Sequence, residues 1–528
     1  MYKKVMSVLL IVAVIGSLVV GCGKEKESSV PNNDPVAQDQ YGDTGGLKLP
    51  IVDTPTTITW MVVSPVQGLN DKLVAKEIEK RTGIKLDILA IPPDGALEKA
   101  KTTVASGKLP DIMQGLTIRE VNDLGAQDAI VAINDYLDEL PNFKKLYVDN
   151  PDNNWVMKSY TNEDGKLYTW PIAGIARDVN HGFLYRKDIF DKNGIKEWTN
   201  TEEFYQALKK LKEIYPDSIP YASKTNTQIF KDWSYGWGIG GSSYPAYYDE
   251  KDGEWKLAVT SPEYKEMIDF IKKLYNEGLM DQEFLTDTSA NWTAKMTQKE
   301  KSFVTFDWIG RLDMFYGQVK DQIPEYDLRY ANPVGPTGHV RTINKIDNFG
   351  TMVANNKNKE VALKLLDYLT SPSGGTLISM GVEGVSYEVD GSGKITYPEL
   401  KDVPKVDIGT LEDKYGCWVE GMYFTSDKRS VYFDYTEKEK EAQDKILNGN
   451  KFEPLDPILN FTNEENARIA EIYTSLFKGA EEFSTKYVLD KSHGEAEWNE
   501  WLKQAEKLGA KEFIEIYNAA QKRYDSAK

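Results

Sequence analysis

Between residues 58 and 113 the sequence alternates strand and helix patterns in an order that few folds accommodate. Residues 58–63 (ITWMVV) form a short run of β-branched, aromatic and aliphatic side chains, the pattern of a buried strand. Residues 71–82 (DKLVAKEIEKRT) place apolar positions at helical spacing, and Gly83 closes that helix. A second strand follows at 84–91 (IKLDILAI), a second helix at 96–106 closed by Gly107, and a third strand at 110–113 (PDIM). Strand, helix, strand, helix, strand is a parallel α/β unit, and such units take ligands beyond the carboxyl ends of their strands.

The rest of the 528 residues continues in mixed style. A turn at 161–165 (TNEDG) leads into a strand-like stretch at 166–172. Amphipathic helices are expected at 204–214, 262–275 and 359–369, strands at 303–306 and 348–355, and a mostly helical tail from about 460. No repeat of 20–50 residues is visible, which disfavours solenoids and propellers. A chain this long exceeds one core and implies two or three domains.

The first residues speak to compartment. Lys3 and Lys4 precede a nearly unbroken apolar run over 5–21, which ends at Gly21-Cys22. A basic start, an apolar middle and small residues at the end describe a secretory signal peptide over 1–21. Cys22 resembles the lipobox cysteine of bacterial lipoproteins, whose thiol is acylated. An uncleaved signal anchor is the alternative. Two acyl chains on Cys22 suffice for stable anchoring at the extracytoplasmic face of the cell membrane. Residues 22–55 are polar and rich in Gly, Pro, Ser and Asn at their start, and read as a flexible lipidated tether. No later stretch approaches transmembrane length.

Only Cys417 remains after Cys22, so disulfide frameworks, thiolate zinc sites and iron–sulfur clusters fail on ligand count. The formal charge is −18, and removal of residues 1–21, with two lysines and no acid, makes it more negative by two. Such a surface repels nucleic acid. No GxSxG elbow, HExxH helix, Walker loop or GxGxxG after a strand appears, and the three histidines lie far apart in sequence. Nothing marks an enzyme, and no cofactor is expected.

Twelve Trp and thirty Tyr point elsewhere. Flat aromatic rings stack on the CH faces of sugars, and directed donors and acceptors take the hydroxyls. The order of several segments resembles the extracellular solute-binding proteins of ATP-driven sugar importers, in the maltose-binding-protein-like group. Within that group the chain is similar to the long lipoprotein branch that includes alginate-oligosaccharide binders. The matching segments are 105–112 (ASGKLPDI), 184–194 (LYRKDIFDKNG), 274–281 (LYNEGLMD), 299–306 (KEKSFVTF), 362–369 (ALKLLDYL) and 381–387 (GVEGVSY).

The resemblance implies a two-lobed periplasmic-binding-protein-like (type II) α/β fold, with ligand trapped between the lobes and extra C-terminal helices. It places lobe one at 56–172 plus 308–345 and lobe two at 173–307 plus 346–528. The lobe crossings would fall near 171–174, 306–307 and 346–348. It implies an oligosaccharide ligand, permease subunits of an ABC transporter as partner, and a monomer. An oligopeptide binder and a ligand sensor on the same fold are the alternatives. Candidate ligand contacts are Gln67 after the first strand, the platforms Trp170, Trp233, Trp237, Trp308 and Trp418, and the polar groups Arg177, Asp307 and Arg311. Trp60, Trp155 and Trp198 read as packing residues. Alginate-binding relatives carry a calcium loop after the helix that matches 204–214. Here 215–220 reads YPDSIP, with one carboxylate, so no metal is expected there and an alginate-like polyanion fits poorly.

Overall fold

The structure, a computed structural model, describes residues 40–526 apart from 163, 176, 225 and 404. The expected signal peptide and the acylated Cys22 lie outside the described residues. The strands are Thr56–Val63 (β1), Ile84–Ile91 (β2), Ile112–Met113 (β3), Trp170–Ala173 (β4), His181–Arg186 (β5), Ile219–Ala222 (β6), Ala246–Asp249 (β7), Glu254–Leu257 (β8), Ser302–Trp308 (β9), Leu328–Tyr330 (β10) and Ile346–Val353 (β11). Five of them form a sheet in the order β2-β1-β3-β11-β4, and four form a second in the order β10-β5-β9-β6.

Burial explains the sequence patterns. β1 is covered on both faces from Trp60 to Val63, so it reads as one apolar run. β2 lies at the sheet edge, with Lys85 and Asp87 exposed between buried Ile84 and Leu86, so it alternates. Asp111 of the segment 105–112 ties this sheet together. Its carboxylate accepts from the N–H and hydroxyl of Thr59 (2.8 and 2.7 Å) and from the amides of Asn356 and Asn358 (both 2.9 Å). Helix starts follow their caps. Asn200, Ser261 and Thr462 each accept a backbone N–H of the first turn that follows, and Thr462 completes a capping box with Glu465. Each such cap contributes about 1 kcal/mol.

Strand directions fix where the two sheets meet. β1, β2 and β3 are parallel, and β11 runs against both β3 and β4, so β4 is parallel to β1. In the second sheet β6 and β9 are parallel, and β5 runs against β9 and β10. The segment 174–180 joins the carboxyl end of β4 to the start of β5. The segment 331–345 joins the carboxyl end of β10 to the start of β11. Both links therefore leave and enter the same edge of each sheet, and those edges face one another across the links. One apolar cluster runs from the first sheet through the links to the nearer face of the second. Another covers the remaining face, where Trp198, Phe204, Trp233 and Phe303 pack with the C-terminal helices Asn463–Leu489 and Glu495–Lys507.

Three expectations need correction. Residues 308–345 do not return to lobe one: β10 pairs with β5 in the second sheet, so the chain makes no crossing at 306–307. Residues 346–528 are not all lobe two, because β11 inserts between β3 and β4, and the helix Lys359–Thr370 packs on that first sheet. The reason is that β9 and β10 are linked by the helix Arg311–Val319 on their own sheet, a detail that sequence periodicity does not carry. The chain passes to the second lobe again near 433–436, before the helix Glu437–Leu447 packs on β10. Finally, residues 40–55 are not a free tether. Ser373 donates to the carbonyl of Tyr41, Ile51 and Val52 donate to that of Thr82, and Leu47, Leu49, Ile51 and Val52 pack on the core. Four apolar side chains among Gly and Pro suffice to dock the segment. Among the described residues no helix is long and apolar enough to cross a membrane.

Candidate ligand-binding cleft

The edge of the second sheet supplies one wall. β9 ends in Phe306-Asp307-Trp308, and its partner β5 starts opposite at His181. Alternation turns Asp307 into the molecule, where it is 2 % exposed, while Phe306 and Trp308 stay half-buried at the surface of the wall. The Asp307 carboxylate accepts from Lys224 Nζ (3.0 Å) and from Arg311 Nε (2.7 Å). The Arg311 guanidinium in turn lies over the rings of Trp292 (5.2 Å) and Trp308 (5.4 Å). Lys224 Nζ sits 5.2 Å above Trp292. An aromatic floor thus holds two cations that share one anion, a rigid donor array.

In front of it lies a cavity of ≈ 220 Å³, whose lining includes His181, Lys224, Tyr235, Phe306, Asp307 and Arg341. The His181 ring stacks on Phe306 at 6.4 Å and 22°. Burial pushes His181 below the usual imidazole range. Asp307 opposes that shift, whereas Arg341, Lys224 and Arg311 reinforce it. Neutral His181 offers both a donor and an acceptor, as a hydroxyl requires. Burial raises the Tyr235 hydroxyl to about 12, so it stays protonated.

The edge of the first sheet supplies the other wall. Here the segment 417–424 crosses the carboxyl ends of the strands. The carbonyl of Glu420 accepts from Val63 N at the end of β1, that of Gly421 from the Thr351 hydroxyl on β11, and that of Tyr423 from Ala173 N at the end of β4. Gly421 has a φ of +92°, and a Cβ on it would stand 2.2 Å from Gln114 Oε1, so any larger residue would be strained there and would displace the Gln114 side chain. Three carboxylates line this edge. Glu412 accepts from Ser64 Oγ (2.6 Å), Glu420 accepts from Gln114 Nε2 (3.0 Å), and Asp347 opens β11. Burial and mutual repulsion push Asp347 up to about 6, with Glu420 the repelling neighbour. Burial likewise raises Glu412 and Glu420. Trp418 and Tyr423 meet edge to face at 5.1 Å beside them, and Trp418 holds a left-handed φ of +58°. A bulky residue in that region marks a constrained loop.

Both lobes touch again at the far rim. Arg119 Nε donates to Asn463 Oδ1 (2.7 Å), and Asn460 Nδ2 donates to the carbonyl of Thr161 (2.9 Å). Near the links, Asp178 gathers Lys345, the Tyr432 hydroxyl (2.7 Å) and Gln443 Nε2 (3.0 Å), one group from each neighbouring segment. At Gly174 a Cβ would stand 2.1 Å from the carbonyl of Asn344, so two links run in backbone contact there.

Of the sequence candidates, Asp307, Trp308 and Arg311 come together, and Trp418 lies behind the opposite wall, buried in the first core. Gln67 is exposed on the loop after β1. The others are corrected. Trp170 is fully buried, its Nε1 donates to Thr370 Oγ1 (3.1 Å), and it packs on Phe143 and Phe424. Trp233 donates to the Tyr221 hydroxyl (3.1 Å) and stacks on Trp237 inside the second core. All three are core rings, because their strand and helix faces point inward. Arg177 lies half-buried in the link 174–180, its Nε without a hydrogen-bond partner. Lys224, His181, Arg341, Gln114, Glu412, Glu420 and Asp347 are not among the sequence candidates. The one signal for any of them is the run 415–423 (YGCWVEGMY), in which aromatics, an acid and two glycines interrupt any regular period.

A family model for bacterial extracellular solute-binding proteins matches residues 68–376. The chain belongs to that family. Over its whole length this solute-binding protein is 26 % identical to the polygalacturonan/rhamnogalacturonan-binding protein YtcQ of Bacillus subtilis, covering 98 % of each chain. It is 24 % identical to the fructooligosaccharide ABC transporter substrate-binding protein FusA of Streptococcus pneumoniae, covering 96 % of each. Among solved structures it is similar in fold to a solute-binding protein of Bifidobacterium longum infantis associated with an ABC transporter for HMO, with a TM-score of 0.72, 20 % identity, and 90 % and 99 % of the two chains covered. The alginate-binding protein AlgQ2 without calcium gives a TM-score of 0.68 at 22 % identity, again covering 90 % and 99 %.

Proposed function

We propose that this solute-binding protein captures an oligosaccharide between its two lobes and delivers it to the permease of an ABC importer. The observation that carries the reading is the pair of facing walls: half-buried Phe306 and Trp308 with Lys224 and Arg311 on one, and the half-buried carboxylates Asp347, Glu412 and Glu420, backed by the buried rings of Trp418 and Tyr423, on the other. Rings receive CH faces, and the polar groups receive hydroxyls. The relatives whose names state a ligand bind saccharides, which favours sugar over peptide. Closure about the links brings the walls together, so that the closed form holds the ligand from both sides. The chain acts as a binder and not as a catalyst.

We further propose that Cys22 carries the lipid, which keeps the binder beside its permease. Binding is tested by thermal shift against fructo-, galacto- and malto-oligosaccharides and against tri- to pentapeptides. Oligosaccharides are expected to raise the melting temperature by mass action. Stabilisation by peptides alone overturns the reading. Anchoring is tested separately: Cys22→Ala is expected to move the protein from membrane to medium.

A further inference from the structure

The two walls differ in charge. On the second lobe Asp307 balances part of the Lys224 and Arg311 charge, and Arg341 adds another cation. On the first lobe Asp347, Glu412 and Glu420 have no lysine, arginine or histidine within ion-pair distance among the described residues. Their hydrogen bonds come from the neutral groups Ser64 and Gln114. Unpaired anions grouped in this way are costly unless something else meets them.

A second, independent feature says what meets them. Gln114 is 2 % exposed, its Nε2 is spent on Glu420, and its Oε1 has no hydrogen-bond partner. Trp418, 5 % exposed and on the loop that carries Glu420, has an Nε1–H without an acceptor. Gln114 Oε1 is turned against Gly421, so the wall holds an unmet donor, Trp418 Nε1–H, and three carboxylates that accept strongly. Sugar hydroxyls both donate and accept, and adjacent hydroxyls match a carboxylate in pairs. A ligand carboxylate only accepts, and would stand against Glu420 and Asp347.

We infer that the first-lobe wall is a subsite for an uncharged, polyhydroxylated sugar ring, and that Glu420 and Asp347 exclude uronates from it. The inference rests on the oligosaccharide reading and narrows it. Two like charges about 5 Å apart, at an effective dielectric near 20, weaken uronate binding on the order of 100-fold.

The test is calorimetric titration of the full mature chain with neutral trisaccharides (kestose, α-1,4-galactotriose, maltotriose) and with trigalacturonate and trimannuronate. A neutral trisaccharide is expected to bind at least 100-fold more tightly than either uronate. Glu420→Gln keeps the shape of the side chain and is expected to narrow that gap at least tenfold. Asp347→Asn, which neutralises the other excluding carboxylate, serves as a second variant if the first fails to fold. Uronates that bind as tightly as neutral sugars overturn the exclusion and leave the oligosaccharide reading standing. A gap unchanged in the folded variant overturns the role of the carboxylate replaced. Binding by no saccharide overturns both readings.

Discussion

Replacing Asp307 by asparagine tests whether the second wall is held together by one buried anion. The carboxylate accepts from Lys224 through Oδ1 and from Arg311 through Oδ2, so an asparagine keeps an acceptor at only one of the two positions. The amide nitrogen then faces the other cation, and two positive groups over Trp292 lose their counter-charge. Breaking a fully buried pair costs about 3–5 kcal/mol. The side chains of Lys224 and Arg311 are 25 % and 17 % exposed, so both can swing partly into water, which lowers the expectation to about 2–3 kcal/mol. For a lobe of some 200–250 residues this is a fall in Tm of roughly 4–12 °C. The substitution has a second readout. Asp307 attracts a proton to His181 while Arg341, Lys224 and Arg311 repel it, so Asp307→Asn is expected to lower the His181 midpoint further. The chain has three histidines, His181, His339 and His493, so each ring resonance can be followed through a pH titration. A His181 midpoint that stays or rises, or an unchanged melting curve, refutes the shared-anion account.

Trp170→Ala is expected to destabilise by about 4–5 kcal/mol in urea titration, through a fully buried ring and its bond to Thr370, whereas a binding defect without destabilisation would restore it as a platform. Trp308→Ala is expected to weaken oligosaccharide binding at least tenfold in calorimetry with a change in Tm of only a few degrees, since its ring is half-buried at the wall. Asp367 is buried and raised to about 6, despite accepting from Phe143 N and Asn142. Because its folded pKa exceeds the unfolded one, the folded chain binds the proton more tightly. Stability from this group is full below about pH 4 and is lost as pH rises through 6, by at most about 3 kcal/mol, which urea midpoints between pH 5 and 8 would register. Asn463→Ala, which removes the acceptor for Arg119 at the rim, is expected to speed ligand release several-fold in stopped-flow fluorescence while the melting temperature of the unliganded chain stays the same.

Elements with a strong period were legible. The strand at 84–91 alternates because β2 lies at an edge, and the helix at 204–214 shows its stripe because one face meets the second core. What periodicity could not carry was partnership. The strand near 346–353 was visible as a strand, yet its place between β3 and β4 depends on pairings remote in sequence. Site residues divided in the same way. Asp307, Trp308 and Arg311 follow one strand end, so a local reading finds them together. Gln114 and Glu420 lie 306 positions apart and meet only because 417–424 crosses the sheet edge. Trp170 and Trp233 misled because an aromatic ring has the same identity in a core as on a platform, and only burial separates the two.

The charges of the two walls bear on closure as well as on ligand choice. The overall charge of −18 is spread widely, and at physiological salt its field fades within about 8 Å. Inside the cleft the balance is local instead. Cations at Lys224, Arg311 and Arg341 stand on one edge and the acids Asp347, Glu412 and Glu420 on the other, so closure about the links brings opposite signs nearer. An empty cleft that closed fully would pair them directly and shut out the ligand. The present arrangement avoids this on one side, because Asp307 already occupies Lys224 and Arg311. It follows that Asp307→Asn, by freeing those cations, should favour a closed, empty form, visible as a smaller radius of gyration in solution scattering without ligand. An unchanged radius in the folded variant would mean that the links, and not the walls, set the resting opening.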